Sequence, residues 1–116
     1  MARKSTLELY VAADQDVIVD VLQSDEVTPQ AMTGWTLGFV VRDTAGNLLF
    51  SKASPASIAI GNGAATNDRA TTAVALADIP AGTGIGHEWA LWRTDSGDRT
   101  LLAWGPVSFI EAPLPV

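Results

Sequence analysis

The chain has 116 residues, 47% of them hydrophobic and 17% charged, with a net charge of −6 and no cysteine. A chain of this length buries roughly two-thirds of its unfolded surface, enough apolar area to offset chain entropy, so one folded domain is expected. The acidity repels nucleic acid, the missing thiols exclude disulfides and thiolate metal sites, and no apolar run reaches the roughly 18–20 residues of a membrane-spanning helix. With no secretory apolar region at the start either, the expectation is a soluble protein used at full length, with no nucleic-acid or membrane partner.

In chain order, residues 1–5 read as a flexible tail, with Arg3 and Lys4 too few to form a basic patch. A single domain is expected over 6–111. Its first strand is TLELYVA, where Leu7, Leu9 and Val11 alternate with Glu8 and Tyr10. VIVDVLQ follows, setting Val17, Val19 and Val21 against Ile18, Asp20 and Leu22. WTLGFVVRD places Trp35, Leu37, Phe39 and Val41 on one face and Thr36, Gly38, Val40 and Arg42 on the other. A period of two with one apolar face is what a half-buried strand requires.

Further strands are expected at Leu48–Lys52, Ser57–Ile60, Thr71–Ala77, Glu88–Arg93 and Leu101–Ile110. ATTAVALADI has alanines that favour helix, but its Thr/Val alternation and the Pro80 that follows assign it to strand. Turn residues recur between the strands, at Asp14-Gln15-Asp16, Thr33-Gly34, Ala45-Gly46-Asn47, Gly61-Asn62-Gly63, Pro80-Ala81-Gly82 and Ser96-Gly97. This spacing predicts an all-β, immunoglobulin-like antiparallel sandwich of seven to nine strands. VVRDTAGNLLF and LWRTDSGDRTLL resemble each other because tight turns select the same residues, with no duplication needed. Residues 112–116, APLPV, are expected to form an extended apolar tail, whose prolines keep it out of a central ladder.

No catalytic, metal or cofactor site emerges. His87 and Glu88 are strand neighbours that point to opposite faces, and the only histidine has no triad or metal set around it. ADQD and SDEVTPQ lack the glycine and the ligand spacing of a calcium loop. GNGAATN and AGTGIG open no helix and carry no Lys-Ser/Thr, so they read as turns rather than phosphate loops.

The tryptophans carry more information. The closing hairpin, HEWALWRTDSGDRTLLAWG (87–105), has two registers open to it. With a two-residue Ser96-Gly97 turn, Trp89 and Leu91 share a face with Leu102 and Trp104. With a three-residue loop from Asp95, they pair with Ala103 and Leu101, and Trp104 changes sides. In both, Trp92 lies opposite Trp89, next to Ala90. An outward tryptophan among small neighbours marks a contact surface. Trp92, Ala90, Leu114 and Val116 are therefore the candidate protein-contact residues.

The order of features resembles a known group. LELYVAADQDVIVDV, then WTLGFVVRDTAGNLLFSK, a SIAI strand, the turn ADIPAGTG and the hairpin HEWALWRTDSGDRTLLAWGPVSFI are similar to small immunoglobulin-like modules of tailed-bacteriophage virions. The likeness is strongest to the N-terminal domain of upper baseplate proteins and covers Thr6 to Ile110. One departure is Thr83-Gly84-Ile85, where members often carry an aromatic after the glycine. The resemblance implies a non-enzymatic structural protein of the virion, assembled in the host cytoplasm, that attaches to or bridges tail, baseplate or neck proteins. It implies virion proteins as partners, with copies forming a homo-oligomer, trimer or ring, or bound singly to the particle. A capsid decoration protein on the head is the alternative. A carbohydrate-binding module using Trp92 and a second aromatic is a further one.

Overall fold

The computed structural model describes residues 3–23, 27–61, 67–80, 83, 85–95 and 99–111. The chain is all-β, with two sheets in a sandwich-like arrangement. The strands are β1 (Arg3–Lys4), β2 (Leu7–Tyr10), β3 (Gln15–Asp20), β4 (Leu37–Asp43), β5 (Leu48–Ala53), β6 (Ile58–Gly61), β7 (Arg69–Val74), β8 (His87–Arg93) and β9 (Thr100–Ile110). One sheet runs β1-β9-β8-β4-β5, with β2 continuing β1 along β9, and the other runs β3-β7-β6. β1 and β2 are parallel to β9, and the remaining pairs are antiparallel.

The alternation in the sequence is the alternation in space. Leu9 and Val11, Val17 and Val21, and Leu37, Phe39 and Val41 are buried, while Glu8, Tyr10, Ile18 and Asp20 are exposed. The core joins these to Phe50, Ile58, Val74, Trp89, Leu91 and Val107. Phe39 lies at its centre, 5.8 Å from the Trp89 ring and 6.1 Å from Phe50. Met32 and Ile79, from segments between strands, are also fully enclosed. Their loop positions hid them from a period-two reading. Met32 is pinned by its own N–H to the Asn67 carbonyl and by the Trp35 N–H on its carbonyl.

Three expectations change, beside strand ends that move by a few residues: β3 already begins at Gln15 of the expected turn and ends at Asp20, and β4 begins at Leu37. Residues 1–5 were expected to form a flexible tail, yet Arg3–Lys4 pair with Ala103 and Trp104. The Ser5 N–H donates to the Trp104 carbonyl (2.8 Å), and the Trp89 indole donates to the Ser5 carbonyl (2.9 Å). Gly105 permits this approach, because a β-carbon there would run into the Ser5 carbonyl. The strand expected over Thr71–Ala77 ends at Val74, and Leu76–Asp78 form a 3-10 turn. The Asp78 carboxylate draws the chain round by accepting the Ala75 N–H (2.7 Å), and Asp14 accepts the Leu76 N–H. Lys52 reaches Asp78 from β5 (2.8 Å), tying the larger sheet to this turn.

The third change lies in the closing hairpin. Next to the turn, Trp92 pairs with Leu101 and Arg93 with Thr100, as a two-residue turn requires. A bulge between Leu91 and Trp92 then adds a residue, so that Leu91 meets Ala103, Ala90 meets Trp104 and Trp89 meets Gly105. The two-residue register therefore holds only next to the turn; beyond the bulge the ladder follows neither expected register, although the faces become those expected of the three-residue loop. Trp104 comes to the face of Ala90, opposite Trp89.

Candidate functional site

Trp89 is core, 4% exposed. Trp92 and Ala90 are half-buried on the outward face of the larger sheet, facing away from Trp89 as the alternation predicts. Trp104 shares that face, and the Lys4 ammonium sits 5.1 Å from its ring centre. Trp35 is covered differently: the Arg93 guanidinium stacks at 4.0 Å and is itself paired with Asp95 at 2.9 Å. That hydrogen bond, from Arg93 first of all, holds the Asp95 carboxyl below its ordinary range. Leu114 and Val116 lie outside the described residues, as do most of the glycine-rich turns at 62–66 and 81–84.

The outward face carries a shallow trough of about 420 Å³, lined by Gly38, Val40, Arg42, Trp92, Thr94 and Arg99. Gly38, Val40 and Arg42 are every second residue of β4, so the floor follows one strand for about 13 Å at 3.3 Å per residue. Trp92, the ladder partner of Gly38, forms a side wall. Arg99 stands at one end and Arg42 at the other, where its Nη1 donates to the Gly46 carbonyl (3.1 Å). The period-two reading had already put Gly38, Val40 and Arg42 outward. Alternation had also put Trp92 outward; what left no local mark in the sequence is the long-range pairing that brings Trp92 beside Gly38.

A second hollow, of about 300 Å³, opens between the sheets on the side of β2 and β3. Leu7, Val19, Val21, Trp89, Leu102 and Ala103 supply its apolar lining, and Ser5, Thr6 and Gln23 its polar rim. β3 is the outer strand of its sheet, and no described strand pairs with its free side.

His87 is not part of a reactive set among the described residues. Its ring packs edge-on against Phe109 at 5.0 Å, and its Nδ1 is buried without a hydrogen-bond partner. Asp43, its ladder partner, spends its carboxylate on the β4–β5 turn, accepting from the backbone of Asn47 (2.8 Å) and Ala45 (3.0 Å) and from the Asn47 amide (3.1 Å). Those bonds, the Asn47 backbone first, hold Asp43 below the usual carboxylate range. Among the described residues no three His, Asp or Glu side chains converge as metal ligands would.

Comparison with known proteins adds no relative, since neither a protein-family model nor a curated protein matches this chain.

Proposed function

We propose that this chain is a non-enzymatic attachment module with an immunoglobulin-like sandwich, acting in a tailed-phage virion as the resemblance of its strands and turns implies. The strand order supports the immunoglobulin-like part: β3, β7 and β6 face a sheet of β2, β9, β8, β4 and β5, with the first strands parallel to the last. Variable-type immunoglobulin domains divide their strands in much this way.

The observation that carries attachment is the open side of the sandwich. An unpaired edge beside an apolar hollow is a template for strand addition: the incoming backbone pairs with β3, and alternate side chains drop between the sheets. Residues 112–116 of a second copy have the chemistry to occupy it. As an added strand, Ala112, Leu114 and Val116 keep their backbone donors on the pairing side. Pro113 and Pro115 remove them from the other side, so the arm ends the sheet and cannot template another strand. In a symmetric particle many such contacts hold together through multivalency.

Light scattering over a wide concentration range tests the arm. The full chain should associate, and a chain lacking 112–116 should stay monomeric with an unchanged melting temperature. A full chain that is monomeric throughout, or association that survives the deletion, overturns arm exchange. The particle reading is tested separately by co-sedimentation with purified virions, where a chain found only in the free fraction overturns it.

A further inference from the structure

We infer that the trough over Gly38 is a binding site for a short saccharide bearing an acidic sugar, on a different surface from the strand-addition edge. Gly38 is a glycine that the backbone does not require. Gly38 lies within β4, between β8 and β5, where glycine forfeits side-chain packing and costs conformational entropy. At Gly34, Gly46 and Gly86 a positive φ accounts for the residue, and at Gly105 the Ser5 backbone does. Gly38 has neither reason. A β-carbon there would meet Thr94 Cγ2 at 3.6 Å and the Lys52 carbonyl at 4.0 Å, which are ordinary contacts. What its absence creates is an open flank beside the Trp92 indole.

The rest of the trough defines what fits. An indole wall favours a ring that presents C–H groups to its face. A guanidinium favours a carboxylate, which it holds through two parallel hydrogen bonds. Arg99 is exposed and has no ion-pair partner among the described residues, whereas Glu88 lies across the ladder from Arg42 and offsets part of its charge. The carboxylate therefore belongs at the Arg99 end, near the Thr94 hydroxyl. The ring lies over Gly38 against Trp92, and a second sugar follows Val40 towards Arg42. A net charge of −6 repels a polyanion but tolerates one carboxylate held within the roughly 8 Å Debye length of physiological salt.

The test is a fluorescence titration of the full chain with glucuronosyl-galactose and sialyllactose, each bearing one carboxylate, with lactose and cellotriose as neutral probes. At least one acidic saccharide should give a saturable change that disappears in Trp92→Phe and weakens as salt rises. Arg99→Ala, at an exposed position, should weaken binding at least about tenfold. Gly38→Val should abolish it while leaving the melting temperature unchanged or higher, and Gly38→Ala covers the case in which valine fails to fold. No saturable response to any acidic probe up to about 10 mM, a very weak affinity, overturns the inference. So do equal responses to acidic and neutral sugars, or acidic binding indifferent to Gly38→Val. If no saccharide binds but Gly38→Val blocks association with virions, the trough is instead a protein contact.

Discussion

At Trp89 three parts of the molecule meet. Its ring stacks on Phe39 in the core, its indole nitrogen donates to Ser5 in the first segment of the chain, and its ladder partner is Gly105 in the last strand. Burial of so large a ring makes truncation expensive, so Trp89→Ala should destabilise the fold by about 3–5 kcal/mol in urea unfolding. A loss under about 1 kcal/mol would mean the ring is not core. Trp89→Phe retains much of the packing but leaves the Ser5 carbonyl without its donor, a smaller loss of about 1 kcal/mol. Gly105→Ala attacks the same junction from the other side. Its methyl group would have to displace the Ser5 backbone, so amide exchange should quicken at Lys4 and Ser5 before anywhere else. Unchanged protection there would show that the first segment does not rest on Gly105.

Turns, one level up, show how a single side chain can determine an element. In the β4–β5 connection Asp43 bonds two backbone N–H groups while Gly46 supplies the left-handed residue at φ 89°. The folded pKa of Asp43 is depressed, so the ionised group adds stability above its unfolded pKa, and that stability is lost as pH falls through the folded value. Asp43→Asn should therefore melt below the parent at neutral pH, with the gap closing in the acid range below about pH 4. A gap of constant size from pH 7 to pH 2 would mean that the charge contributes nothing. This turn was legible because Asp, Gly and Asn are local signals, as were the core faces of β2, β3 and β4 from their alternation. The 3-10 turn at Leu76–Asp78 was not, since it depends on side-chain bonds from Asp78 and Asp14. Nor was the hairpin bulge, which shifts a register without altering the apolar pattern. The trough was half legible: the outward faces of β4 and of Trp92 follow from alternation, but the pairing that sets Trp92 beside Gly38 joins strands far apart in the chain and has no local signal.

At the scale of the whole molecule, the pairing least visible in the sequence is the one that closes the larger sheet. Arg3 pairs with Ala103 and Leu7 with Val107, a hundred residues apart, and nothing in a short polar opening segment announces a partner so distant. The arrangement matters because β9 spans eleven residues and would otherwise be a long open edge, the kind of surface that recruits other chains. The first strands cap it much as a covering loop would, and they also seal the Trp89 side of the inter-sheet hollow. Removing residues 1–6 should then have two consequences at once. The melting temperature should fall by at least about 3 °C, the shift expected for losing roughly 1 kcal/mol in a domain of this size. New association should also appear through the bared edge of β9. Making the deletion in a chain that also lacks 112–116 separates this association from arm exchange, and light scattering then reads it directly. If that doubly shortened chain melts where its parent does and stays monomeric, the first strand adorns the sheet without closing it.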